Sequence, residues 1–110
     1  MTSKKLVAAS SEPLVLSILA QGESYGYAII QRVRQLSQET LQWTDGMLYP
    51  VLHRLERNGL IVAQWGKAES GRRRRYYRIT EDGAKALATE KEEWETVNAT
   101  LNELWGASNA

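Results

Sequence analysis

The hydrophobic pattern changes period along the chain, and each change marks a new element. Residues 12–21, "EPLVLSILAQ", are largely apolar, with Pro13 near the start and Gly22 just past the end. This predicts a short buried helix. Ser24 is placed to cap a second helix running to about Gln38, on which Tyr25, Ile29, Val33 and Leu36 share a face. Gln31, Arg32 and Gln35 lie largely away from that face. "TLQW", residues 40–43, is short and extended at best. In "TDGMLYPVLHRLERNG", Leu48, Val51, Leu52 and Leu55 follow the i, i+3, i+4, i+7 spacing of a third helix turned to a core. Its opposite face carries Gly46, Tyr49, Pro50, His53, Arg54 and Arg57. Pro50 removes a donor and restricts Tyr49, so the first turn should be irregular or the helix should begin near Tyr49. Asn58-Gly59 ends it.

From Leu60 the period becomes 2. "LIVAQW" (60–65) and "RRYYRI" (74–79) are rich in β-branched and aromatic residues and flank the polar loop "GKAESG". They predict an antiparallel hairpin. In its second strand Arg75, Tyr77 and Ile79 share one face, while Arg74, Tyr76 and Arg78 share the other.

Thr80 can cap a last helix, with Glu81 and Asp82 where the helix dipole favours acids. Along it Leu87, Trp94 and Leu101 are spaced by heptads, Val97 and Leu104 interleave, and Glu90 is the weak rung. Three short helices cannot cover so long a stripe, so it predicts pairing with a second copy, with Trp105 near the end of the interface. Residues 1–11 and 106–110 are expected to be flexible. The order is helix, helix, helix, two-stranded wing, long helix. It describes a mainly α winged helix-turn-helix domain over 12–79 with a dimerisation helix over 80–105.

Charge sharpens this picture. The formal net charge of the 110 residues is +1, but residues 1–79 hold 12 basic against 6 acidic residues, and residues 80–110 hold 2 against 7. A basic body suited to a polyanion carries an acidic C-terminal segment. The densest positive stretch is "GRRRRYYR", residues 71–78. The chain has no cysteine, which excludes disulfides and thiolate metal sites and fits a reducing compartment. The apolar start is cut by "SSEP", which argues against a signal peptide, and no stretch reaches the length of a membrane span. A cytoplasmic location is the default expectation, with no membrane partner.

"SYGYAIIQRV" (24–33), "GMLYPVLHRLERNGLI" (46–61) and "RRRYYRITEDG" (73–83) resemble the PadR family of bacterial transcriptional regulators, across nearly the whole of residues 12–105. The single short C-terminal helix resembles the compact subgroup of that family. The resemblance implies a homodimer that binds double-stranded operator DNA, usually as a repressor, released in some relatives by a small molecule or a stress signal. Position by position, Gly46, Met47, Leu48, Tyr49, Pro50, His53 and Arg54 match the start of the recognition helix. Lys67 and Arg72, Arg73 and Arg74 match the wing, and Gly26 and Tyr27 match the "GY" of the second helix. Trp94 falls where members place an aromatic residue at the dimer interface.

The third helix is then expected to enter the major groove, and the wing to lie along phosphates. Four arginines exceed the usual basic content of that strand, so some of them can be merely solvated. Arg75, on the face of Tyr77, is expected to pack on an aromatic ring or pair with an acid. Tyr49 can meet DNA or brace its helix. Tyr76 and Tyr77 are expected to pack the wing on the core. Leu87, Trp94, Val97, Leu101, Leu104 and Trp105 form the expected interface. There, paired Trp94 side chains either fill the space or line a slot for a small hydrophobic ligand. His53 is the only histidine and has no sequence partner for metal binding or catalysis, and no phosphate-cradling glycine loop is present, so neither an enzyme nor a cofactor is expected. A winged-helix protein-interaction module is the rival reading, disfavoured by the basic body.

Overall fold

A computed structural model describes residues 3–106. The elements run α1 (Lys4–Ala20), β1 (Ser24–Tyr25), α2 (Gly26–Leu36), α3 (Asp45–Arg57), β2 (Ile61–Lys67), β3 (Arg73–Ile79) and α4 (Glu81–Gly106). This is the expected winged-helix order with a long terminal helix. Two features correct the sequence reading.

The first helix begins at Lys4 rather than near Glu12, so residues 4–11 are helical and not a flexible lead. Ser3 caps it, accepting from the Leu6 amide at 3.2 Å. "SSEP" does not break it because Ser10 and Ser11 turn their hydroxyls back to the carbonyls of Leu6 (2.7 Å) and Ala8 (3.0 Å). Such back-bonding lets serine sit inside a helix at some cost in straightness. Pro13 therefore lies inside α1, where it denies the Ala9 carbonyl its usual donor. Of the termini expected to be flexible, residues 1–2 and 107–110 lie outside the described residues.

The wing has a third strand. β1 pairs antiparallel with β3, Ser24 opposite Tyr77 and Tyr25 opposite Tyr76, giving the sheet order β1-β3-β2. Ser24 is thus a strand residue, and α2 starts at Gly26, two residues later than its expected cap. α2 also stops at Leu36, which is exposed instead of joining the core. The β2–β3 pair extends to Lys67 and Arg73, so the loop is 68–72, closed by Ala68 N–H to the Arg72 carbonyl at 2.8 Å. Gly71 takes the left-handed conformation there (φ 87°), which glycine tolerates without strain.

Leu48, Val51, Leu52 and Leu55 of α3 are all buried, against Val15, Leu16 and Leu19 of α1, Ile29 and Val33 of α2, and Ile61 and Tyr77 of the wing. One core thus fixes α3 and the wing together. α4 leaves this body: Gly83 is its one buried residue among those described, and Leu87 packs on the core's edge. At 26 residues α4 is about 39 Å long, which accounts for the elongated 57 × 29 × 21 Å shape.

The joint between α3 and α4 is tight. The Thr80 hydroxyl donates to the Gly59 carbonyl at 2.7 Å and accepts the Gly83 amide at 3.0 Å, and the Thr80 amide donates to the Leu60 carbonyl at 3.0 Å. A Cβ on Gly83 would run into the Leu60 carbonyl oxygen, so only glycine lets the helix start come this close. These bonds tie the turn after α3 to the start of α4.

Candidate nucleic-acid interface

The four-arginine run resolves into four different environments. Arg72 sits at the loop's end, exposed, with no ion pair among the described residues. Arg73 lies over the Trp65 ring, 4.5 Å from its centre, and Arg74 over the Tyr25 ring at 3.8 Å. Arg75 donates to both carboxylate oxygens of Glu56 on α3, at 2.9 and 3.2 Å, and stands near the rings of Trp65 and Tyr77. Arg75 thus has both partners the sequence suggested, an acid and an aromatic face.

Alternation along β3 produces this division. Arg73 and Arg75 project to the side of Trp65, which faces Arg75 in register, while Arg74 projects to the side of Tyr25 and Tyr76. Stacking on a ring is worth about 0.5–1 kcal/mol at an exposed site and leaves the guanidinium edge free to donate. At the tip, Lys67 stands directly opposite Arg73. Like charges across a ladder destabilise the sheet. The pairing therefore costs the isolated sheet some stability and concentrates positive charge at the tip.

The wing meets α3 in a cleft of about 450 Å³ walled by Tyr25, Tyr27, Tyr49, Trp65, Arg73 and Arg74. Tyr49 reaches it because residue 26 is glycine: a Cβ there would meet the Tyr49 hydroxyl at 2.5 Å. Tyr49 braces α3 on the start of α2 and is still 37% exposed. Its ring also lies 6.3 Å from that of His53, which is exposed on the same flank. Burial pushes the Tyr77 hydroxyl above its ordinary pKa, opposed by the nearby Arg75, so Tyr77 stays neutral as a core residue.

Of the residues expected at the interface, Tyr49, Arg73 and Arg74 are brought together in this cleft. Gly46, Met47 and Pro50 are exposed on another flank of α3. Arg54 is half-buried there, its Nε 3.5 Å from Glu12 of α1. Trp65, Tyr25 and Tyr27 were not among the residues expected at the interface; Tyr25 was expected on the core-facing side of the second helix and Tyr27 only as part of its "GY". Period 2 placed Trp65 on a strand beside the arginines, a usable signal. Tyr25 depends on the two-residue β1, for which the sequence offers no alternation to read.

On α4, Trp94 is 38% exposed, Val97 52%, Leu104 70% and Trp105 65%, with Leu101 half-buried. Trp94, Val97 and Leu104 thus leave much apolar surface exposed on the single chain. No described helix is long and apolar enough to cross a membrane, and the described residues hold no cluster of three or more metal-ligating side chains.

The model of the PadR-like family of transcriptional regulators matches residues 15–89. Transcriptional regulator Rv3488 of Mycobacterium tuberculosis is 38% identical over 77 residues, 70% of this chain and 68% of that protein. A transcriptional regulator from Clostridium thermocellum superposes with a TM-score of 0.82 at 34% identity, covering 91% of this chain and 97% of that one. A PadR family transcription regulator from hypervirulent Clostridium difficile gives 0.78 at 30% identity, covering 87% and 98%. With three helices, a wing and a projecting fourth helix in the same arrangement, this chain belongs to the PadR-like family of transcriptional regulators, which are DNA-binding proteins and not enzymes.

Proposed function

We propose that two copies of this chain dimerise through α4 and bind a pseudo-palindromic operator as a repressor. α3 enters the major groove of each half-site with Gly46, Met47, Tyr49, Pro50, His53 and Arg54 on the DNA side. Lys67, Arg72, Arg73 and Arg74 of the wing neutralise flanking phosphates. The observation that carries this reading is the shared cleft in which Tyr49 of α3 meets Arg73 and Arg74 of the wing. It joins a base-reading helix and a phosphate-binding strand into one surface.

The division of labour follows from charge. Arginines held on aromatic rings at the wing supply affinity through counterion release and carry no sequence information. The exposed face of α3 must supply the sequence preference. The exposed α4 stripe supplies the second copy, and the Thr80–Gly83 joint passes dimer geometry to the spacing of the two α3 helices. A flat hydrophobic ligand between paired Trp94 side chains would alter that geometry and release DNA. The protein acts in the cytoplasm, where its DNA is.

The test is footprinting on random genomic fragments. A protected site with two-fold symmetry and half-sites about one helical turn apart supports the reading. Protection without symmetry removes the dimeric operator. No protection on any fragment removes DNA binding in favour of a protein-interaction module.

A further inference from the structure

Within the basic run, Arg74 is the arginine held most closely by a ring. Its guanidinium carbon lies 3.8 Å from the centre of the Tyr25 ring, the shortest arginine–ring distance among the described residues. It is half-buried, whereas Arg72, Arg73 and Arg75 are exposed. No carboxylate pairs with it among the described residues, while Arg75 has Glu56. A full positive charge is thus kept in one place with no acid to balance it.

The ring is placed there by a series of contacts on the face of the sheet turned away from Tyr77. Tyr25 stands opposite Tyr76 in the β1–β3 ladder, and Arg74 lies two residues from Tyr76 on the same face. Tyr25 and Arg74 are therefore diagonal neighbours, a separation that aromatic and long side chains bridge. Tyr76 meets Tyr25 edge to face, with ring centres 5.7 Å apart at 77°. On β2, the residue opposite Arg74 is Gly66. A Cβ there would come within 2.9 Å of the Tyr76 ring, so the glycine makes room for the ring that backs Tyr25. Tyr76 therefore packs on Tyr25 and Gly66 and not in the core as expected; of the two successive tyrosines only Tyr77 belongs to the core cluster. The residue after Tyr25 is Gly26, against which Tyr49 of α3 is seated. Two consecutive residues thus locate Arg74 of the wing and Tyr49 of α3 on the walls of one cleft.

We infer that Tyr25 is a positioning residue of the DNA site, whose ring holds Arg74 in one orientation so that its guanidinium edge is ready when a phosphate arrives. This rests on the DNA-binding reading above and deepens it. Part of the wing's affinity comes from the ring beneath the arginine, and Tyr25 itself need not touch DNA. A long side chain loses rotamer freedom when it is immobilised on a partner, and one already stacked loses less. A guanidinium lying over a ring face keeps its N–H groups available at the edge.

The experiment is a double-mutant cycle on DNA affinity. Wild type, Tyr25→Leu, Tyr25→Phe, Arg74→Ala and the Tyr25→Leu, Arg74→Ala double variant are titrated by anisotropy onto one footprinted duplex at several salt concentrations. Tyr25 is half-buried and outside the core cluster, so Tyr25→Leu should stay folded, as circular dichroism will show. It should weaken binding by about five-fold, the loss from ordering one long side chain. Its salt slope should match wild type, because Arg74 keeps its charge. Tyr25→Phe restores the ring and should restore affinity to within about two-fold of wild type. Arg74→Ala should weaken binding and flatten the slope by about 0.9 for each protomer on the site. In the Arg74→Ala background, Tyr25→Leu should cost nothing further.

An equal loss from Tyr25→Leu with and without Arg74 would mean that the tyrosine merely supports the sheet, and overturns the inference. Wild-type affinity in Tyr25→Leu overturns it too, as does a Tyr25→Phe that binds as weakly as Tyr25→Leu. Should Tyr25→Leu fail to fold, Tyr25→Met removes the ring in its place and the same cycle decides. Those results leave the DNA-binding reading standing. A wild type that binds no duplex overturns that reading and the positioning role with it.

Discussion

One Nη of Arg75 on the wing donates to both carboxylate oxygens of Glu56 on α3, at 2.9 and 3.2 Å. The bond crosses from β3 of the wing to α3 and neutralises one arginine of the basic run. Both side chains remain about a third or more exposed (41% and 32%). The pair therefore contributes less than about 1 kcal/mol to stability.

As a tie between the wing and α3, the pair should help set their relative angle before DNA arrives. Arg75→Ala should lower DNA affinity by about five-fold through lost preorganisation. The salt dependence of binding should stay unchanged, since this charge already has a partner. Affinity titrations at several salt concentrations check both. A slope that falls along with affinity would make Arg75 a phosphate contact.

The α3–α4 joint gives a stability prediction. Thr80 both caps α4 and bonds the turn that follows α3, so Thr80→Ala should cost about 1 kcal/mol, the usual loss for a helix cap. Gly83→Ala pushes a methyl group into the Leu60 carbonyl oxygen and should cost more, about 1–3 kcal/mol as for overpacking. Thermal melts should rank wild type above Thr80→Ala and Thr80→Ala above Gly83→Ala. Equal melting of wild type and Gly83→Ala would show that the joint is looser than the contact implies.

Parts of this were legible in the sequence, for identifiable reasons. Leu48, Val51, Leu52 and Leu55 repeat with one period on one helix, so their burial follows from spacing alone. Thr80 before two acids marks a helix start for local electrostatic reasons. Arg75 could be separated from Arg74 because strand residues alternate. What was not legible depends on partners distant in sequence. "SSEP" looks like a break until the serine hydroxyls are seen to bond back within α1. Ser24 looks like a helix cap until Tyr77 is found opposite it. At the site, the rings under Arg73 and Arg74 come from different strands, and no local pattern brings Tyr25 to the wing.

Glu90, the weak rung of the α4 stripe, carries a pH signature. Desolvation raises its carboxyl above the ordinary range, with Glu12 and Glu93 adding to the shift. A raised folded-state value means that folding disfavours the charged form. The associated stability is fully present below the unfolded carboxylate value and is lost as pH rises through the folded one. Glu90→Gln should therefore be more stable than wild type at pH 7, with the gap closing below about pH 4. Denaturant titrations at the two pH values check the sign. A wild type more stable than Glu90→Gln at pH 7 would mean the carboxylate has a favourable partner.

The exposed α4 stripe makes a prediction about assembly. Fully burying a side chain the size of valine or leucine contributes about 1.5–3 kcal/mol. Val97→Asp and Leu104→Asp would instead bury charge in the interface. Sedimentation equilibrium should give twice the chain mass for wild type and the single-chain mass for the double variant, which should keep its helical circular dichroism. Wild type sedimenting as one chain at high concentration would remove α4 as a dimerisation helix.

The most direct test of the central claim, that the wing beside α3 grips DNA phosphates, is the slope of log affinity against log salt. It is compared between wild type and the Arg72→Ala, Arg73→Ala, Arg74→Ala triple variant on one footprinted site. Each lost phosphate contact should flatten the slope by about 0.9, so a dimer losing up to six contacts should flatten by as much as about 5. The triple variant should also bind every sequence more weakly while keeping the wild-type sequence preference. An unchanged slope and affinity would contradict the account and leave the arginine run as a solvated strand.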